Sequence, residues 1–204
     1  MKSLLDINNL RDELLFGTIE AKDILCQARS AGLPFRWHPL GFVVCKVTCA
    51  GSLTARLHIW PPDGGKKQDS SHIIHDHIFN FTSWVLAGEI INTEYHINLD
   101  GCLYAQYNVA YEEEVSMMIK TDSTCRLKIA SQSRWNSGAA YKITSDRLHA
   151  SYVCGDLSAV TVLLTRKTEK LNPRVFGSLE GADRYEFNRT DLTDEEVSSL
   201  FERI

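Results

Sequence analysis

Apolar positions fall into two regimes along this chain. Through the first thirty-odd residues Leu4, Leu5, Leu10, Leu14 and Leu15, then Ile19, Ile24, Leu25 and Ala28, recur at helical spacing until Gly32 and Pro34 interrupt them, which predicts two short helices. From residue 40 the pattern turns to strands. GFVVCKVTCA, LTARLHIW, FTSWVLAGEIINTEYHI, CLYAQYNVAY, CRLKIA, AAYKI and SAVTVLLT are rich in Val, Ile, Thr and aromatics and are separated by Gly, Asp, Asn and Ser. No helical stretch of about 10 to 15 residues lies between them, so a doubly wound parallel sheet is excluded and a β-sandwich or barrel over 40–165 is expected. PPDGGKKQDSS (61–71) reads as a surface loop. DLTDEEVSSLFERI reads as a terminal helix with Thr193 or Asp191 as its N-cap and Val197, Leu200 and Phe201 as its apolar stripe. The chain is therefore expected to be mainly β and one domain over 1–204, with a helical extension at 1–35 and a tail and helix at 166–204.

Composition narrows the partners. With 22 Lys and Arg against 26 Asp and Glu, and no basic run interleaved with aromatics, nucleic acid is not expected. Asp6, Arg11, Asp12 and Glu13 break the apolar stretch a signal peptide would need, and no segment approaches the ~20 apolar residues of a membrane span. A soluble, cytoplasmic protein with no membrane partner is expected. The six cysteines, Cys26, Cys45, Cys49, Cys102, Cys125 and Cys154, make no Cys-x-x-Cys pair. Cys45 and Cys49 on one strand would stand about 13 Å apart, too far to bridge, so reduced thiols are expected. The glycosylation patterns at Asn80 and Asn188 carry no weight without export.

Three of the seven histidines fall in HIIHDH, residues 72–77. On a strand, His75 and His77 share a face and Asp76 takes the other. Two imidazoles aimed at one point suit a first-row metal, but two ligands make a weak site, so a third should come from a distant strand. His149, closing the glycine-led segment GAAYKITSDRLH, is the candidate. His72 is at odd offset to both members of the pair and is expected to face away or to sit in the loop.

These intervals resemble the two motifs of the cupin superfamily. In the first, Asp69 stands at the leading glycine, His75 and His77 at the histidine pair, Phe81 at the glutamate and Gly88 at the closing glycine. In the second, Gly138 leads, Thr144 stands at the proline, Asp146 at the second glycine, His149 at the histidine and Val153 at the asparagine. The resemblance implies a double-stranded β-helix, or jelly-roll, barrel and a metal held by His75, His77 and His149, with no fourth protein ligand because phenylalanine cannot coordinate. A three-histidine site, with IHDH and VLAG in order, is similar to the thiol (cysteine) dioxygenases of the superfamily. Their thioether-crosslinking cysteine has no counterpart here. HPLGF (38–42), RLHIW (56–60) and HDH in order resemble bacterial small cupins, some of which oxidise amino acids in natural-product pathways.

The resemblance implies an Fe(II)-dependent dioxygenase, with Mn, Ni or Zn as alternative ions, acting with O2 on a small amino acid, thiol or organic acid. The competing readings are a non-redox metal lyase or isomerase and a cupin that binds a small ligand without turnover. Arg56, His58 and Trp60 alternate on one face of their strand opposite Ala55, Leu57 and Ile59. If that face lines the cavity, Arg56 and His58 bind an anionic substrate; if the other face does, they are surface. Phe81 is expected to point into the barrel beside the metal. Arg147 is a second candidate anchor for a carboxylate, and Tyr141 or Tyr152 would orient a bound oxygen. Glu112, Glu113 and Glu114 read as a solvated edge, and Phe79 and Trp84 as core. Cupins often pair through barrel edges, so a homodimer is a further expectation.

Overall fold

Helix α1 (Ile7–Phe16) begins where the Asp6 carboxylate accepts from the N–H groups of Asn8 and Asn9, at 2.7 and 3.3 Å, and ends at Gly17 in the left-handed region. Helix α2 (Ala21–Ser30) follows, with the Asp23 carboxylate accepting from the Glu20 N–H at 3.3 Å. Leu10, Leu14, Ile24, Leu25 and Ala28 are buried, so the helical stripe in the sequence is the face that packs. The structure, a computed structural model, describes residues 6–68, 71–112, 115–202 and 204. Leu4, Leu5, Asp69, Glu113 and Glu114 lie outside the described residues.

The strands follow in chain order: β1 (Phe35–Trp37), β2 (Leu40–Gly41), β3 (Val43–Ala50), β4 (Leu53–Trp60), β5 (Lys66–Lys67), β6 (Ile74–His75) and β7 (Phe79–Ala87), then β8 (Glu89–Glu112), β9 (Val115–Asn136), β10 (Ala140–Ile143), β11 (Leu148–Tyr152), β12 (Ala159–Lys167), β13 (Arg174–Gly177) and β14 (Arg184–Asn188). Helix α3 (Asp194–Phe201) closes the set. One sheet runs β1-β3-β4-β12-β7-β10 and the other β11-β6-β13-β8-β9-β14, with β11 also paired to β8. Every pairing is antiparallel. The core strands β4, β12, β7 and β10 in one sheet, and β6, β11, β8 and β9 in the other, have the order of a jelly roll. The fold is thus mainly β and cupin-like, with helices at both ends of the chain.

The first sheet is buried on both faces. Ala55, Leu57 and Ile59 of β4, with Val160 and Val162 of β12, pack against Leu10, Leu14, Leu25 and Leu200 of the helices. The alternate positions Arg56, His58, Leu163 and Thr165 therefore turn inward, where they line a cavity. Strand pairing extends past 165, because β13 and β14 join the second sheet. The segment read as one strand from Phe81 to Ile97 breaks at Gly88, whose φ of 71° reverses the chain and whose Cβ, if present, would stand 2.4 Å from the Ser158 carbonyl. Within the loop at 61–71, β5 pairs with β2. Thr193, not Asp191, caps α3: its hydroxyl accepts from the Glu196 N–H at 3.2 Å and the Glu196 carboxylate accepts from the Thr193 N–H at 2.9 Å. Asp191 instead bonds Arg36 at 2.7 Å. Among the described residues no helix is long and apolar enough to cross a membrane.

Candidate metal centre and substrate cavity

His75 ends β6 and lies directly opposite His149 of β11 in the antiparallel register, so two imidazoles face each other across one strand pair. His77, two residues on, returns to the same side. The ligating nitrogens of His75, His77 and His149 lie within 4.8 Å of one another, and Nε2 of His77 stands 2.8 Å from Nε2 of His149.

The far side of two of these rings is fixed. His75 Nδ1–H donates to the Ile73 carbonyl at 2.9 Å, and His149 Nδ1–H donates to Asn92 Oδ1 at 2.7 Å, an oxygen that also accepts from the Ser151 hydroxyl at 3.0 Å. With Nδ1 protonated in both neutral rings, Nε2 carries the lone pair. Burial holds the His149 and His77 pKa values well below the usual range, His75 adding to it in each case, and burial lowers His75 itself. Two oriented lone pairs, with the buried His77 imidazole beside them, fit a first-row cation.

Asp76 holds the pair in place from behind. Its buried carboxylate accepts from the Arg174 N–H and Nε, both at 2.7 Å, and from Lys170 Nζ at 2.5 Å. The Asp76 N–H in turn donates to the Arg174 carbonyl at 3.0 Å. The residue between the histidines therefore ties their segment to the start of β13.

Beyond His75 and His77 opens a cavity of about 470 Å³. Arg56 lines it; its Nη1 donates to the Thr165 hydroxyl, which donates onward to the Thr54 carbonyl at 3.1 Å. The guanidinium lies 5.0 Å over the Phe79 ring. His58 lines it too, tilted against Phe42 at 4.9 Å. Burial, with Arg56 and Arg189 adding to it, lowers its pKa to about 3. His58 Nδ1 is buried with no hydrogen-bond partner among the described residues. The inward reading of Arg56 and His58 is thus the one the fold adopts.

The other sequence candidates divide by position. Phe81 is buried beside the histidines, its ring 5.2 Å from that of His77 and 5.9 Å from that of His149. It packs with Val85, Ile90, Tyr141 and Ile143, so it closes the barrel beneath the histidines and does not line the cavity. Tyr141 stands behind it, stacked on Trp135 at 5.3 Å. Burial pushes the Tyr141 phenol up, against the hydrogen bonds of Ser83 and Ser151. Trp60 stacks on Phe42 at 4.2 Å and donates to the Thr161 hydroxyl at 3.1 Å, which makes it a wall behind His58. Phe79 lines the cavity, whereas Trp84 packs with the core beneath the helices.

Arg147 and Tyr152 are not brought to the histidines. Arg147 is exposed, with Glu94 at 3.8 Å. Tyr152 is 41% exposed and its hydroxyl accepts from Gln132 at 3.2 Å. It lies three residues from His149 on β11, so strand parity turns it to the opposite face. His72 is buried but outside the ligand cluster, its ring between Tyr107 at 4.7 Å and Tyr185 at 4.8 Å.

Sequence reasoning missed His38, Asn92, Tyr111 and Arg189. His38 lies in HPLGF, stacks on Phe42 at 4.3 Å and lines the cavity; burial, then Arg189, lowers its pKa strongly. Arg189 reaches the cavity from the tail, where Asn188 exchanges two hydrogen bonds with Gln68, at 2.6 and 3.2 Å, and the Thr190 carbonyl accepts from the Trp37 N–H at 2.9 Å. No sequence signal ties so distant an arginine to the histidines.

No protein-family model and no curated protein matches the chain. Among solved structures it is similar to hydroxypropylphosphonic acid epoxidase from S. wedmorenis, at 14% identity and TM-score 0.39 over 67% of this chain and 56% of that one. It is also similar to that enzyme in complex with fosfomycin, at 14% identity and TM-score 0.37 over 61% and 50%. A crystal structure of the DMSP lyases RdDddP and RnDddQII matches at 13% identity and TM-score 0.35 over 71% and 51%. The chain spans about half the length of these proteins.

Proposed function

We propose that this chain is a metal-dependent oxygenase of the cupin type, using Fe(II) and O2 to oxidise a small organic acid, amino acid or thiol. The observation that carries the reading is the convergence of three imidazoles, His75, His77 and His149, the first two of which line a cavity that also presents Arg56. When bound there, ferrous iron would supply a redox centre with open coordination positions, at which O2 and an organic substrate are brought to reaction. The chain's own residues do the rest. Asn92 and the Ile73 carbonyl hold two ligand rings in the tautomer that offers Nε2. Phe81 and Tyr141 close the barrel beneath the histidines against water. Arg56, fixed by Thr165 and Phe79, orients an anionic group of the substrate. The resemblance of the IHDH and VLAG segments to thiol dioxygenases makes thiols the first compounds to test.

The test is metal analysis of protein purified without added metal, then anaerobic loading with Fe(II) and an oxygen-electrode screen of thiols, amino acids and organic acids. Substrate-dependent oxygen uptake is expected with iron and not with zinc. Turnover under nitrogen would replace this reading with a lyase or isomerase, and binding without turnover would make the protein a ligand carrier.

A further inference from the structure

The cavity beside the histidines has a charge composition that selects among the substrates above. Arg56 and Arg189 both line it, and Lys167 stands at its exposed edge. Among the described residues the one carboxylate in its lining is that of Asp76, which is committed to Lys170 and Arg174. Arg56 and Arg189 have no carboxylate partner among the described residues. They are close enough for Arg189 to disfavour the charge on Arg56, in addition to its desolvation. Two like charges sharing a half-buried cavity are a standing cost unless a ligand supplies the counter-charge. The adjacent buried His58 Nδ1, without a partner among the described residues, needs the same ligand to complete its hydrogen bonding.

We infer that the cavity takes an organic dianion, with a doubly charged oxyanion head such as a phosphate monoester, phosphonate or dicarboxylate seated between Arg56 and Arg189 and an apolar body against Phe42, Phe79 and Phe187. Guanidinium forks match the planar or tetrahedral oxygens of such a head in a way ammonium groups do not. A zwitterionic amino acid would carry an ammonium into a lining that, among the described residues, offers no free carboxylate, so the same composition disfavours it. Arg56 is tied to Thr165, and the backbone that carries Arg189 is held on either side by the Asn188–Gln68 and Thr190–Trp37 hydrogen bonds. The inference rests on the reading that this cavity, rather than another surface, receives the substrate.

Binding of phenyl phosphate, benzenesulfonate and phenylalanine to the full-length protein, by titration calorimetry at pH 7.5 with EDTA and again with zinc, tests it. Phenyl phosphate is expected to bind at least tenfold more tightly than the singly charged sulfonate of similar shape, and phenylalanine more weakly still. Phenylsuccinate in place of phenyl phosphate separates a tetrahedral from a dicarboxylate head. Arg56→Gln and Arg189→Gln should each weaken phenyl phosphate at least tenfold and narrow its advantage over the sulfonate, while Arg147→Gln leaves both unchanged. Equal binding of all three compounds, no binding of either dianion, or an Arg189→Gln variant with wild-type affinity would overturn the inference. Zinc content, measured on the same samples by mass spectrometry, tests the three-histidine reading separately: anion binding in EDTA survives its failure, and metal uptake survives the failure of the anion site.

Discussion

Strand parity decides which side chains reach the site, and it decides more finely than nearness in sequence does. His75, His77 and His149 were legible because two of them obey the i, i+2 rule and the third stands at a fixed interval from a glycine. Arg147 and Tyr152 flank His149 just as closely, yet they point to solvent. Asn92 was not legible, since its role comes from the register of β8 against β11, where Asn92 lies opposite Ser151. His149→Ala is expected to lose most of the bound metal, read by mass spectrometry, while circular dichroism stays that of the wild type. His72→Ala should do the reverse: it removes a ring packed between Tyr107 and Tyr185 and costs about 1 to 3 kcal/mol of stability by denaturant titration, with metal content kept. A second pair of outcomes concerns the thiols. Cys45 is 1% exposed and burial pushes its pKa up to about 12, so it should resist alkylation in the native protein, whereas the exposed Cys26, Cys49, Cys102 and Cys154 should be modified readily. Peptide mapping after iodoacetamide treatment checks this.

The helices show where element-level reading works best. Their boundaries follow local chemistry, Asp6 and Thr193 at N-caps and Gly17 at a C-cap, and such signals are written within a few residues of one another. Strands β8 and β9 are the opposite case. Their pairing carries register shifts at Glu94/Tyr95, Ile97/Cys102 and Ala105/Tyr107, and the first half of β9, VSMMIKTDSTC, mixes charge with apolar residues in a way that gives no clean alternation. What makes it a strand is β8 beside it on one edge and β14 on the other. At the third helix, Thr193→Ala is expected to cost about 1 kcal/mol in urea unfolding. Glu196, whose pKa is lowered first by Lys66 and then by the Thr193 N–H, adds a pH dependence. Its carboxylate is more acidic when folded, so its contribution is fully present above the unfolded pKa and is lost as pH falls through the lower, folded value. Amide exchange in α3 should therefore quicken under acid conditions, and Glu196→Gln should flatten that dependence.

For the molecule as a whole, the helices cover the outer face of one sheet and leave its inner face to function. Leu10→Ala, at a fully buried contact of that cover, should destabilise the protein by about 2 to 5 kcal/mol in denaturant unfolding. Asp76 couples fold and site through its ion pairs with Lys170 and Arg174. Asp76→Asn leaves the Lys170 and Arg174 charges without their counter-ion and frees the segment carrying His75 and His77, so stability and metal content should fall together. Loss of stability with full metal occupancy would show that the histidines are positioned without it.

The late position of Arg189 has a consequence for how the protein comes into being. All three histidines leave the ribosome well before the tail does, and β12, the last strand of the first sheet in chain order, precedes it too. A nascent chain still tethered within its tail holds the complete ligand set while one wall of the cavity is missing. During synthesis, then, the ligand set would precede the capacity to discriminate among anions, and Arg189→Gln, which keeps α3 and its Leu200 on the first sheet, mimics that earlier stage where truncation after Asn188 would strip the core cover as well.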